Sequence, residues 1–149
     1  IGAFTVEAFD VPHDSADCCG YTITYNDKRF VLITDCGKIT EEVSSRALEA
    51  DYLVLESNYD PQMLETGPYP LHLRRRIACS TGHLSNTETA EFLRDNSFAN
   101  LRQLFLCHLS ENNNTHELVD SAVSQALQDK NVPYHILDRR KVNGFFELD

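Results

Sequence analysis

RFVLITDCGKITEEVSSRALEADYLVLE, residues 29–56, changes its hydrophobic period twice and decides the fold class. Residues 29–34 are apolar almost throughout, as in a strand covered on both faces, and they deliver Asp35-Cys36-Gly37 to its C-terminal end. Residues 40–50 have a polar N-cap, acids in the first turn and apolar positions at helical spacing; Tyr52–Glu56 is a second buried strand. Strand, helix, strand is a compact α/β unit. In such sheets ligands sit outside the carboxyl ends of the strands, which is where Asp35 lies.

Upstream, residues 4–9 (FTVEAF) alternate as a half-buried strand does and run into a loop, 10–19, that holds His13. Residues 20–25 form another strand, joined to 29–34 by the hairpin turn Asn26-Asp27-Lys28. Downstream, 57–80 is rich in Pro and Arg and reads as an irregular surface excursion or lid, because Pro61, Pro68 and Pro70 break any long helix. Asn86 then caps a helix to Asp95, Gln103–Cys107 is a strand ending on His108, and 115–130 is a well-patterned helix. Residues 134–137 and 144–148 are expected as terminal strands.

The 149 residues, 42% hydrophobic, fit a single domain, 1–149, with its own core. Thirteen basic against twenty-three acidic residues give a net charge of −10, the wrong sign for a surface that holds a polyanion by non-specific contacts. A nucleic-acid substrate would need local basic patches or metal ions. Five cysteines without CxxC spacing point away from a disulfide framework and towards a reducing, cytoplasmic setting. No run approaches the roughly 18 apolar residues of a membrane span. The chain opens on Ile1 inside a strand-like pattern, so a processed product or a piece of something longer is expected.

Singly, the polar residues at these strand ends mean little. A loop histidine is more often a surface residue than a ligand, and an Asp after a strand is usually a turn or cap residue. The combination is more specific: His13, His83 and His108 lie in loops beside strands or a helix, and Asp35 ends the most buried strand. Imidazole with carboxylate suits zinc or manganese, and a carboxylate can bridge two cations where one imidazole nitrogen cannot. His83 precedes a helix N-terminus, where free N–H groups favour an anion. It either holds a phosphate or protonates a leaving oxygen, or it is a solvent-facing neighbour of a cap made by Ser85 or Asn86. Arg74-Arg75-Arg76 and Arg139-Arg140-Lys141 are the basic runs; the first precedes His83 and suits phosphate better. His72, His116 and His135 match no pattern.

His13 followed by Gly20-Tyr21 resembles the third motif of the metallo-β-lactamase fold, particularly as it occurs in ribonuclease Z and related nucleases. Asp35-Cys36-Gly37 resembles the fourth motif, and His108 after LFLC the fifth. Glu56-Ser57-Asn58-Tyr59-Asp60, Gly67-Pro68-Tyr69-Pro70, Arg76-Ile77, Gly82-His83-Leu84-Ser85-Asn86 and His108-Leu109-Ser110-Glu111-Asn112-Asn113 are together most similar to the YycJ branch, metal-dependent hydrolases with nuclease activity. The family's second motif, HxHxDH, is absent from these residues.

The resemblance implies an α/β fold like the C-terminal half of an αββα sandwich, a mixed sheet with helices on one face. It implies two divalent cations, zinc or manganese, with His13 on one, His108 on the other, Asp35 bridging them, and a hydroxide poised between them to attack phosphorus. His83 would assist the leaving group, with Arg76 and Ser85 beside it on the phosphate. Without HxHxDH this chain is expected to hold metal weakly or not at all and to be inactive alone. Its expected partner is its own N-terminal half or a second copy, covering the open sheet face, with nucleic acid or another phosphodiester as substrate and no membrane. The competing readings are a non-catalytic interaction domain derived from the same fold, and a hydrolase of thioesters or lactones.

Overall fold

The computed structural model describes residues 1–148, and its architecture follows from one hairpin and three crossovers. Asn26 and Asp27 both have positive φ, 47° and 63°, the pair of left-handed residues that a two-residue type I′ turn requires. They join β2 (Cys19–Tyr25) to β3 (Lys28–Ile33), so Lys28 belongs to the strand and not to the turn. β1 (Thr5–Asp10) adds antiparallel to β2. From β3 onward the sheet is parallel through β4 (Tyr52–Glu56), β5 (Gln103–Cys107) and β6 (Tyr134–Ile136), in the order β1-β2-β3-β4-β5-β6. The fold is thus the expected α/β arrangement with a mixed sheet.

Each parallel pair needs a crossover, and helices supply it. α1 (Glu41–Leu48) links β3 to β4 and starts at Thr40, whose hydroxyl accepts from Val43 N. α4 (Asn86–Asp95) precedes β5, and α5 (His116–Ala126), capped by Thr115, precedes β6. Val43, Ala47, Phe92, Leu93, Val119 and Val123 on these helices pack against Val31, Ile33, Leu53, Leu55, Leu104 and Leu106 of the sheet in one apolar core. Burial of such a side chain stabilises the fold by about 1.5–3 kcal/mol. All of β4 is buried, as its unbroken apolar run requires.

Three expectations change. Residues 57–80 are not irregular: α2 (Pro61–Thr66) and α3 (Leu71–Ile77) form there, because Pro61 stands in the first turn of α2 and Pro70 at the N-cap of α3. A missing N–H costs nothing at those places. Ser85, not Asn86, caps α4. Residues 144–148 form no strand. β6, the edge they would have to join, has only three residues, and the segment instead crosses the open sheet face, Phe146 meeting Phe105 edge-on at 4.9 Å.

The topology places the functional edge. β1 runs antiparallel to β2 and β2 to β3, so β1 points the same way as β3, β4 and β5. With β6, parallel to β5, five strands therefore end at one edge, and the residues that follow or close the first four of them there are His13, Asp35, Glu56 and His108.

Candidate functional site

His13 is fixed by its own ring. Its Nδ1 lies 2.9 Å from the carbonyl oxygen of Gly82. A carbonyl only accepts, so Nδ1 carries the hydrogen and the lone pair is on Nε2, which faces Asp35 Oδ1 at 3.6 Å. The contact needs an unusually close approach of backbones. A Cβ on Gly82 would stand 2.1 Å from the Ile77 carbonyl oxygen, and one on Gly37 would stand 2.6 Å from Gly82 N. Gly37 N in turn donates to Pro12 O at 2.7 Å, holding the His13 loop from its other side.

Asp35 and His108 share a strained backbone, with φ of 54° and 58°. Side chains other than glycine adopt this left-handed conformation rarely, at a cost of about 1–3 kcal/mol each, and such residues cluster at functional sites. The strain is held by specific bonds. Asn58 Nδ2 donates to the His108 carbonyl at 2.7 Å, and Thr34 Oγ1 donates to Asp35 Oδ2 at 2.8 Å, leaving Oδ1 free. His108 Nδ1 lies 2.7 Å from Glu56 Oε1, which directs Nε2 towards Asp35 Oδ1 at 3.8 Å.

Glu56 joins these pieces. Its carboxylate is completely buried; Oε1 accepts from Nδ1 of both His108 and His83, the latter at 2.8 Å, and Oε2 accepts from Cys36 N at 2.7 Å. Burial alone would raise its pKa, but the hydrogen bonds from His108 and His83, the charge of His83 and the Cys36 amide outweigh it and hold the carboxyl below its ordinary value. The same bond to Glu56 raises the pKa of His108 against the opposing effect of burial. Two trios lie close enough to hold a cation, His13 with Asp35 and His83, and Glu56 with His83 and His108. In the second trio Glu56 meets the two rings as a hydrogen-bond acceptor. Their 2.7–2.8 Å contacts, made through ring Nδ1, are those of a hydrogen-bonded hub.

The imidazoles form a row, with ring centroids 5.0 Å apart for His13 and His83 and 5.2 Å apart for His83 and His108. His83 is thus not a bystander in solvent: Nδ1 is tied to Glu56, and its side chain is only 19% exposed. Ser85 differs from expectation. Its hydroxyl donates to Glu88 Oε2 at 2.7 Å and accepts from Glu88 N, and the residue is buried, so both functions go to the capping box of α4 and none is left for a ligand. Arg76 lies over the site but is paired, its Nε and Nη2 both on the carboxylate of Asp14. Asp14 stands 3.8 Å from His13 Nε2. Arg139, from the other basic run, lines the same cavity of about 300 Å³ as Arg76, His13, His83 and His108. The broad cleft on the other side of the His13 loop is bordered by Asp10, Asp17, Glu41, Glu42 and Glu49, so an anion would be repelled there. His72 and His116 are exposed on helices, and His135 stacks on Phe105 in the sheet, away from the site.

The family model described as beta-lactamase superfamily domain matches residues 1–109, which include His13, Asp35, Glu56, His83 and His108. The chain belongs to the metallo-β-lactamase superfamily. Within it, exodeoxyribonuclease YycJ of Bacillus anthracis is 36% identical over 129 residues, covering 87% of this chain and 49% of that protein. Exodeoxyribonuclease WalJ of Streptococcus pneumoniae is 35% identical over 117 residues, covering 78% of this chain and 44% of that protein. The chain spans about half the length of the curated relatives it matches. Among solved structures, the metallo-beta-lactamase fold protein YhfI from Bacillus subtilis matches with a TM-score of 0.65 at 18% identity, over 92% of this chain and 48% of that one. Zn2+-bound PqqB from Methylobacterium extorquens matches with a TM-score of 0.57 at 20% identity, over 91% and 46%. At these identities the two structural likenesses speak to the fold alone.

For this member of the superfamily, the sequence singled out His13, Asp35, His83 and His108 but not the functional part of Glu56. The signal was present: a carboxylate closes YLVLE, a strand otherwise wholly apolar. A charge is carried into such a place only when it is paired there. Asn58 was missed for a different reason, since nothing in a sequence shows that a distant backbone is strained.

The donor set fits divalent cations. Two imidazole Nε2 atoms and one carboxylate oxygen converge, and each imidazole has its other nitrogen hydrogen-bonded to an acceptor, the arrangement that orients metal-binding histidines.

Proposed function

We propose that this chain bears one edge of the active site of a metal-dependent phosphodiesterase acting on DNA, in which the rest of the longer protein supplies further ligands. One observation carries the reading: His13 Nε2 and His108 Nε2, each with its other ring nitrogen hydrogen-bonded, lie 3.6 and 3.8 Å from the same carboxylate oxygen, Asp35 Oδ1, as ligands arranged around cations would. The names of the YycJ and WalJ relatives support DNA as the substrate class.

His13, His108 and Asp35 would hold the cations, Asp35 being the one of the three whose side chain could serve more than one. When bound there, zinc or manganese supplies Lewis acidity, which activates water and neutralises charge on the phosphodiester. Glu56, ionised and buried, keeps the proton of His108 on Nδ1 and its lone pair on Nε2. It also holds His83 through Nδ1, so that the ring lies along the cavity wall, where it would reach the leaving oxygen. Arg76, held by Asp14, draws the phosphate to this side of the His13 loop and away from the acidic cleft.

The open sheet face supports a partner sheet. Val6, Tyr21 and Tyr25 are each about 40% exposed, on the face opposite the helices. Two sheets packed face to face would cover them. A pure interaction domain would use that face too, but it leaves the converging donors without a purpose. A thioester or lactone hydrolase leaves Arg139, which lines the cavity without a hydrogen-bond or ion-pair partner among the described residues, without one.

The test is hydrolysis of linear double-stranded DNA by the full-length protein, with a divalent cation and with chelator, repeated for Asp35→Ala. The expected loss exceeds the roughly 10–100-fold typical of changes that only touch a ligand's support. Full activity in Asp35→Ala would refute the assignment.

A further inference from the structure

The cavity beside the imidazole row has a second wall that the reaction chemistry does not use. It is formed by Tyr69, Leu73 and Ile77, with Arg76 and Arg139 at its sides. Leu73 and Ile77 stand one turn apart on α3 and make an apolar strip. Tyr69 lies between Pro68 and Pro70, which fix the backbone around it, and its hydroxyl accepts from Asn112 Nδ2 at 2.9 Å. The ring is therefore held in place before any ligand arrives. Arg76 is already engaged by Asp14, whereas Arg139 has no hydrogen-bond or ion-pair partner among the described residues.

A simple anion would need no aromatic and aliphatic wall, and an apolar ligand would need no unpaired guanidinium. A nucleotide needs both: a flat base that stacks on an aromatic ring and a phosphate that takes a guanidinium. At about 300 Å³ the cavity is at the small end of ligand sites, so it holds one residue of a polymer and not a run of them. We propose that this cavity is a subsite for one nucleotide at the end of a DNA strand, with Tyr69 stacking on the base and Arg139 holding its phosphate. The assignment rests on the phosphodiesterase reading and adds to it the part of the chain that recognises the substrate's end.

The experiment is calorimetric titration of the full-length protein with deoxyadenosine 5′-monophosphate and, separately, with inorganic phosphate, both in chelator so that neither probe reports on a bound metal. The unsubstituted protein is expected to bind the nucleotide at least about tenfold more tightly than phosphate, the margin that stacking supplies. Tyr69→Ala should erase that margin and Tyr69→Phe, which keeps the ring, should retain it; Arg139→Ala should weaken both probes about tenfold. Equal binding of the two probes, or an unchanged margin in Tyr69→Ala, overturns the subsite. The two readings fail separately. DNA hydrolysis without nucleotide binding overturns the subsite and leaves the phosphodiesterase standing, while nucleotide binding without hydrolysis does the reverse.

Discussion

Glu56 touches three site-bearing loops from a position that solvent does not reach: the Asp35-Cys36 turn, His83 and His108. Glu56→Gln keeps the volume but removes the charge, and its amide would set a donor against a donor, leaving a buried group unpaired at about 1–3 kcal/mol. The expected outcome is a 10–100-fold loss of metal affinity, read by zinc titration, since a supporting carboxylate typically contributes about that much. Two thiols, Cys36 buried and Cys107 part-buried, make a pH prediction independent of metal. Burial pushes Cys36 and Cys107 up to about 12. In the unfolded chain they ionise from about 8.5, so above that pH the unfolded state releases protons that the folded state retains, and stability falls with rising pH until about 12. Urea midpoints at pH 8 and 10 should differ in that direction. In the native protein Cys79, whose pKa is lowered by its bond with Thr81, should alkylate well before either of them. At this scale the sequence showed which residue types lie at strand ends; it did not show Ser85 taken up by its capping box, because the partner, Glu88, is equally at home on any exposed first turn.

The elements that position the site were legible where periodicity was clean. The apolar runs of β3, β4 and β5 and the caps at Thr40 and Thr115 match the structure within a few residues. α2 and α3 were not legible, because prolines that break a helix interior also start one, and composition alone does not separate the two cases. The last strand expected, 144–148, needed an edge that β6 is too short to offer. One contact ties two elements together in a way the pattern did not announce. Lys130, beyond the end of α5, places Nζ on the last carbonyls of α4, 2.7 Å from Arg94 O and 2.6 Å from Asn96 O, with Leu93 O as a third partner. A cation there satisfies orphan carbonyls and opposes the negative end of the helix dipole. Lys130→Ala should cost about 1–2 kcal/mol, a fall of a few degrees in Tm, measurable by thermal unfolding.

At the scale of the molecule, parallel strands and two antiparallel pairs bring the ends of β1, β3, β4 and β5 to a single edge, and that arrangement assembles the site from residues 13 to 108. The α/β class was readable from the order of strand and helix patterns, and the mixed sheet from the family resemblance. The convergence itself was not, because it depends on which strands neighbour one another. In the proposed function, a second sheet would cover the apolar open face and further ligands would complete the donor set around Asp35. The most direct measurement is anomalous diffraction from crystals of the full-length protein containing zinc or manganese. Metal peaks are expected within about 2.0–2.2 Å of His13 Nε2, His108 Nε2 and a carboxylate oxygen of Asp35. Metal bound elsewhere, with these three side chains unligated, would contradict the assignment.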